Sequence, residues 1–315
     1  MILITGSNGF LGSHIVKRIK EQPLILLGRG IENKHPNHPF FECEINSNHD
    51  YTKVLQECQT VIHCAARAHI MDDKEAEPLA LYREVNTAGT INLAKQAIDS
   101  GVKRFIFISS IKVNGEGTSV DRIFKSEDKH APQDDYGLSK SEAEKQLVAL
   151  AKDSCMEVVI IRPTLVYGPG VKANFSSLMN LVSKGIPLPF GCITKNKRSL
   201  VSVDNLVDLI VTCIDHPKAA NQVFLVSDDR DVSTSEMVRE MAIALGKTTW
   251  QLPVPIWCYK LIGKLFNKSD IVDRLIGSLQ VDISHTKNTL GWKPPQTLQD
   301  GFKQTAQAFL QANNK

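Results

Sequence analysis

Short apolar runs recur along the first half of the chain: Met1 to Ile4, Leu24 to Leu27, Val61 to Cys64, Phe105 to Ile108 and Val158 to Ile161. Each is too short for a stable helix and nearly free of polar positions, the mark of a strand buried on both faces. Between them apolar residues fall at helical spacing over about 13–21, 50–58, 76–99 and 137–152; Ile15, Val16 and Ile19, for instance, share one face. Gly101, directly after Ser100, reads as a helix stop before the next strand. Strands alternating with helices predict an α/β fold with a Rossmann-type, doubly wound parallel sheet.

Beyond about Leu165 the rhythm loosens. Gly168-Pro169-Gly170, Pro187, Pro189, Gly191, Pro253, Pro255 and Pro294-Pro295 cut the chain into short elements. This predicts a main domain over 1–165 and a smaller C-terminal lobe over 166–315. The β-type runs Leu200 to Val203 and Val223 to Val226 are the exceptions, and segments near 200–208 and 223–227 are expected to return to the main sheet. Ile256 to Phe266, with Trp257, Leu261, Leu265 and Phe266, reads in two ways: an amphipathic surface helix meeting a membrane, or a stripe packed within the lobe.

Composition narrows the classes. A chain of 315 residues with 42% apolar and 23% charged residues has ample material for a core. The formal charge is +3 and no dense Lys/Arg stripe with interleaved aromatics occurs, which argues against a nucleic-acid partner and suits an anionic small molecule. The seven cysteines are odd in number, scattered and never spaced C-x-x-C, so no disulfide framework and no metal site are expected. With no leader-like segment before the first strand and no run approaching roughly 18 apolar residues, a cytoplasmic protein without a membrane span is expected.

Two motifs carry chemistry. Thr5-Gly6-Ser7-Asn8-Gly9-Phe10-Leu11-Gly12-Ser13 follows the first strand and opens the first helix. In that context glycines permit a tight turn and close backbone approach to a pyrophosphate, while the helix N-terminus offers free N–H groups to phosphate. Far downstream, Tyr136 and Lys140 lie four apart at the start of a helix and therefore on one face. An ammonium at that spacing can lower the phenol's pKa, and together with a nicotinamide ring it is expected to favour the phenolate and make Tyr136 a workable acid or base. Ser110, at the end of Phe105 to Ser110, sits where open α/β sheets bind ligands and is a candidate for hydrogen-bonding a substrate oxygen.

With Val61-Ile62-His63-Cys64-Ala65-Ala66, Asn86-Thr87-Ala88-Gly89-Thr90, Ser109-Ser110 and Arg162-Pro163-Thr164-Leu165-Val166-Tyr167-Gly168-Pro169, these motifs resemble the extended short-chain dehydrogenase/reductases that act on nucleotide sugars. The resemblance covers the first 170 residues in order, with a thinner trace at Arg198 to Leu206. It implies a dinucleotide domain followed by a substrate lobe, with Ser110, Tyr136 and Lys140 catalytic. Cofactor contacts are implied at Gly6, Asn8, Gly9, Phe10, Leu11 and Gly12 of the glycine turn. Further ones fall at Arg29, Glu44 and Ile45, at Cys64, Ala65 and Ala66, and at Asn86, Tyr136, Lys140, Pro163 and Leu165. Substrate contacts are implied at Ser110, Asn174, Phe175 and Arg198, the last meeting the nucleotide diphosphate. The resemblance also implies a homodimer through the helices near 76–99 and 137–152.

Departures from the family pattern shape the expected reaction. Members using NAD usually carry an acid at the end of the second strand; here Leu27-Gly28-Arg29-Gly30 offers an arginine suited to a 2′-phosphate, so NADP(H) is preferred and NAD(H) is the alternative. Ile111-Lys112 after Ser110 replaces the Asp-Glu of the sugar 4,6-dehydratases, and no cysteine follows the serines as in the fucose-synthase-like enzymes. Asn114 replaces the tyrosine of the Ser-Ser-x-x-Val-Tyr-Gly pattern, and the polar stretch from Asn114 to Asp135 reads as either a binding lid or a mobile insertion. The leading expectation is NADPH-dependent reduction at C4 of a UDP-4-keto-6-deoxy-N-acetylhexosamine in surface polysaccharide synthesis. A UDP-hexose or UDP-N-acetylhexosamine 4-epimerase using bound NAD is the alternative, since the same residues serve both. A dehydrogenase of a non-nucleotide substrate and an NADP-sensing regulatory protein without turnover are more distant readings.

Overall fold

Every apolar run of the first half becomes a strand. The computed structural model describes residues 1–313 apart from 32, 68–76, 120, 121 and 249, and gives the backbone but not the side chains of 173, 174 and 270. In chain order the strands are β1 (Ile2–Thr5), β2 (Leu24–Gly28), β3 (Phe40–Glu42), β4 (Thr60–His63), β5 (Arg104–Ile108), β6 (Glu157–Pro163), β7 (Leu165–Tyr167), β8 (Arg198–Ser202), β9 (Val223–Val226) and β10 (Asp231–Val232). Among the described residues, seven form a parallel sheet in the order β3-β2-β1-β4-β5-β6-β9. Successive strands are added to one side from β1 to β3 and to the other from β4 onward, so the strand order reverses between β1 and β4, the switch point at which such sheets open a ligand crevice.

Alternation along each strand divides the core. Leu3, Leu27, Val61, Phe105, Phe107 and Ile160 point to the side covered by α2 (Thr52–Leu55), α4 (Thr90–Asp99) and α5 (Asp135–Lys152). Ile4, Leu26, Ile62, Ile106 and Ile161 point to the other, covered by α1 (Phe10–Arg18) and α7 (Val203–Asp215). The helix expected over 76–99 is described from residue 78 as α3 (Pro78–Tyr82), a π-helical segment Arg83–Gly89, and α4. A Cβ at Gly89 would lie 2.7 Å from Ile45 Cγ2, so the glycine lets the chain after β3 press against this wide turn.

A second, three-stranded sheet, β10-β8-β7, belongs to a smaller lobe with α6 (Ala173–Ser183), α8 (Thr234–Ala244) and α12 (Leu298–Asn313). The lobe also carries α9 (Ile256–Leu265) and α10 (Ser269–Ile276), while α11 (Ser284–Leu290) packs on β9. Of the two segments expected to rejoin the main sheet, Val223–Val226 pairs with β6, whereas Arg198–Ser202 pairs with β7 and β10. The residues after Ser202 return to the main body as helix α7: the Ser202 hydroxyl caps that helix at Asn205 N–H, 3.1 Å, and ends the strand.

The long polar stretch 114–135 is stitched down. Thr118 N–H donates to Ser278 O (2.8 Å), Phe124 N–H to Gln280 O (2.9 Å) and Asp282 N–H to Phe124 O (2.8 Å), with Phe124 buried beneath. These hydrogen bonds run the described residues of the stretch beside the chain leading out of α10.

Candidate functional site

The glycine turn is shaped by contacts that admit no side chain. Gly6 has φ +67°, and a Cβ there would stand 2.9 Å from Ala65 N. At Gly12 a Cβ would come within 2.2 Å of Gly6 O, so the helix packs directly on the turn. Gly9 N–H donates to Gly6 O at 2.9 Å, and α1 starts with no capping side chain and no acid in its first turn. A helix start left this way is an anion site, and the cradle fits a dinucleotide pyrophosphate. Phe10 and Leu11, at that helix start, are half-buried against the core.

The opposite wall, Cys64-Ala65-Ala66 after β4, is fixed from below by His63. Its Nδ1 meets Thr5 Oγ1 at 2.7 Å and its Nε2 meets Thr90 Oγ1 at 2.9 Å, while Thr5 Oγ1 accepts from Ala65 N–H at 3.1 Å. Burial first, then nearby Lys140, drives the imidazole down to about 3, so His63 is neutral. Asn86, fully buried in the π-helical segment, accepts from Arg67 N–H (2.8 Å) and donates to Arg67 O (3.1 Å) and Ser139 Oγ (3.0 Å). It thereby ties this wall to α5.

Helix α5 brings its first turn to Ser110 because Gly137 permits it. A Cβ at Gly137 would be 2.9 Å from Lys112 O, and Asp134 caps the helix by accepting from Gly137 N–H at 2.7 Å. Ser110 begins the 3-10 turn Ile111–Val113 and accepts from Lys112 N–H at 3.3 Å. Its side chain hydrogen-bonds the Tyr136 hydroxyl. Tyr82 packs edge-on to the Tyr136 ring at 6.1 Å.

Burial, followed by the carboxylate of Asp134, pushes Tyr136 up to about 12, and the hydrogen bond from Ser110 only partly opposes this. The Lys140 ammonium donates to Ile108 O at 2.9 Å and lies 4.4 Å from the Phe107 ring centre. Burial brings Lys140 itself down to about 8, and neighbouring Cys64, itself raised by burial to about 12, marks where the lysine meets the crevice wall. Lys112 Nζ pairs with Asp134 Oδ2, and with Glu116 Oε1 at 3.1 Å.

Below Ser110 lies an ion pair the sequence reading passed over. Arg162 holds Glu144 through Nε (3.0 Å to Oε1) and Nη2 (2.6 Å to Oε2), both residues being buried, and Ser109 Oγ donates to Glu144 Oε1. Arg162 also donates to Asn114 Oδ1 at 2.9 Å, and Asn114 donates to Lys125 O at 2.9 Å. Asn114, which stands where the family pattern has a tyrosine, is buried in this network. Glu144 lies four residues after Lys140 on one helix face, the signal that marks it in retrospect.

The remaining candidates scatter. Arg29 and Glu44 are exposed just beyond the ends of β2 and β3, and Ile45 is buried against Gly89. Pro163 is buried at the end of β6, and Leu165 is exposed at 43%. Phe175 corrects the expectation of a substrate contact: it is buried in the lobe core, stacked on Tyr167 at 5.3 Å and near Phe302 at 5.7 Å. The side chain of Asn174 lies outside the described residues. Arg198 donates through Nη1 to the carbonyls of Arg274 and Gly277 at the end of α10, with no carboxylate paired to it among the described residues.

The glycine turn after β1, the Ser110–Tyr136 pair and the buried Lys140 stand together at the C-terminal ends of the parallel strands. The chain belongs to the NAD dependent epimerase/dehydratase family, whose sequence profile matches residues 2–227, and it is an enzyme of that family. It is 76% identical to the UDP-glucose 4-epimerase of Vibrio cholerae over 317 aligned residues, covering 100% of this chain and 97% of that one. Among solved structures it resembles the UDP-glucose 4-epimerase of Thermotoga maritima, determined with UDP-glucose (TM-score 0.79, 23% identity, 99% of each chain). It also resembles the UDP-glucuronic acid 4-epimerase of Bacillus cereus, determined with NAD (TM-score 0.78, 21% identity, 99% of each chain). The full-length identity to a 4-epimerase overturns the expected 4-keto reductase, whose case rested on Arg29. The preference for NADP(H) loses its support with it.

Proposed function

We propose that this protein is a UDP-hexose 4-epimerase that inverts C4 of UDP-glucose with an NAD it keeps through turnover. The observation that carries the reading is the 76% identity to the Vibrio cholerae enzyme over the whole chain. NAD, when bound, supplies a reversible hydride acceptor for C4. The turn of Gly6, Gly9 and Gly12 would hold its pyrophosphate at the start of α1, and Lys140 is assigned to its ribose. Tyr136 removes the proton from the C4 hydroxyl as that carbon is oxidised and returns it after the sugar has turned its other face. Ser110, bonded to Tyr136, holds the same oxygen. Because Tyr136 is raised to about 12 without ligand, its base form depends on positive charge brought beside it by the oxidised nicotinamide. Arg198, without a carboxylate partner, is assigned to the diphosphate, and α4 with α5 to a homodimer contact.

The test is conversion of UDP-glucose to UDP-galactose by purified protein with no added nucleotide. Tyr136→Phe is expected to lower kcat by about 10³-fold while still releasing NAD on denaturation. Absence of conversion by the unaltered protein, with NADPH consumed on a 4-keto UDP-sugar, would overturn the proposal.

A further inference from the structure

Helix α9 sits on the lobe with most of its apolar surface uncovered. Trp257, Leu261 and Leu265 form one row at i, i+4 spacing and are 65%, 60% and 76% exposed. Ile262 and Phe266 extend the face beside them, while Tyr259 and Gly263 are buried on the inward side. Gly263 lets α10 close on the helix, since a Cβ there would be 2.8 Å from Val272 Cγ2. The apolar face is therefore the outer side of a helix already anchored to the lobe. Trp250, 74% exposed, continues it from the segment whose carbonyl accepts from Leu188 N–H at 2.8 Å.

Charge accompanies this face. Lys260 and Lys264 occupy an exposed row beside that of Trp257, and Lys268 follows the helix end. From Lys247 to Ser269 the sequence holds four lysines and no aspartate or glutamate. An apolar stripe with tryptophan and phenylalanine, edged by lysines on a helix too short to span, is the chemistry of a segment lying in a bilayer interface. A second copy of the chain is a poorer occupant where the two helices would run antiparallel, because that twofold contact places these lysine rows against each other. No described helix is long and apolar enough to cross a membrane, so contact would be superficial.

We propose that the outer face of α9 docks this enzyme on the surface of an anionic lipid bilayer. Arg198 donates to the carbonyl of Arg274 in α10, and α10 packs on α9, so docking would seat the lobe's substrate side close to the bilayer. The inference does not depend on the reaction catalysed.

Co-sedimentation of the full chain with phosphatidylglycerol/phosphatidylethanolamine vesicles, beside vesicles of phosphatidylcholine alone, tests it. Binding is expected on the anionic vesicles, with a blue shift of tryptophan emission. The triple variant Lys260→Gln, Lys264→Gln, Lys268→Gln is expected to bind about 100-fold more weakly. Leu261→Glu with Leu265→Glu should abolish binding with an unchanged circular dichroism melt, since both side chains are exposed. Failure of the unaltered protein to sediment with anionic vesicles would overturn the proposal. So would equal binding to both vesicle types, or a self-association that Leu261→Glu with Leu265→Glu removes.

Discussion

His63 spans the floor of the crevice from Thr5 to Thr90 and is neutral because burial holds it down to about 3. In the unfolded chain it would titrate at the ordinary histidine value of about 6.5. Between these values the unfolded state binds a proton that the native state refuses, so stability is fully present above 6.5 and falls as the pH drops towards 3. The slope from this residue approaches about 1.4 kcal/mol per pH unit, and urea unfolding from pH 7 to 4 should show it flattened in His63→Gln. Glu144 makes the complementary case for a charged side chain. Removing its charge leaves the Arg162 guanidinium buried without a counter-ion, so Glu144→Gln is expected to cost about 3–5 kcal/mol in denaturant unfolding. Of these two residues, His63 stood inside a recognisable motif and Glu144 did not. Its place one turn after Lys140 marks the helix face of Glu144, but its partner Arg162 is 18 positions away on another element, and no spacing along the chain announces that pairing.

At the scale of elements, the strand–turn–helix unit of residues 2–18 was legible because each of its requirements is local. Four apolar residues make a buried strand, glycines make the turn, and an uncapped helix start receives phosphate. Gly12→Ala tests the closeness of that packing. With a Cβ only 2.2 Å from Gly6 O the backbone must shift, at a cost of about 1–3 kcal/mol, and the protein should be isolated without bound nucleotide. A Gly12→Ala protein that keeps both its melting temperature and its nucleotide would show that the turn yields elsewhere. The π-helical segment Arg83–Gly89 was not legible, since its sequence reads as ordinary helix. It is held by Asn86 reaching Arg67 and Ser139, contacts across three elements that set the width of the turn. Strand β8 was misplaced for a related reason: a run such as Leu200 to Val203 reports burial, which two different sheets can supply.

For the whole molecule, the reaction was the feature that local motifs left open. A reductase and an epimerase share the serine, tyrosine, lysine and glycine turn, and differ in whether the cofactor leaves after each turnover. Arg29 weighted the choice towards NADP(H), yet it is a solvent-exposed side chain at a strand end. Full-length similarity to a UDP-glucose 4-epimerase points the other way. Denaturing freshly purified protein and identifying the released nucleotide by mass spectrometry is expected to yield NAD near one per chain. Exchangeable NADP(H) would instead restore a role for Arg29 at a 2′-phosphate.

Where most strands and the glycine turn fall was written in the order of residues, because period, turn chemistry and helix ends act over a few positions. The joining of Ser110 to Tyr136, the raised phenol and the lysine turned to a backbone carbonyl belong to the folded chain alone. They follow from the Gly137 contact, the Asp134 cap and the burial of α5 against the sheet. Desolvation and the field of a neighbour's charge are properties of a three-dimensional environment, and no spacing along the chain encodes them.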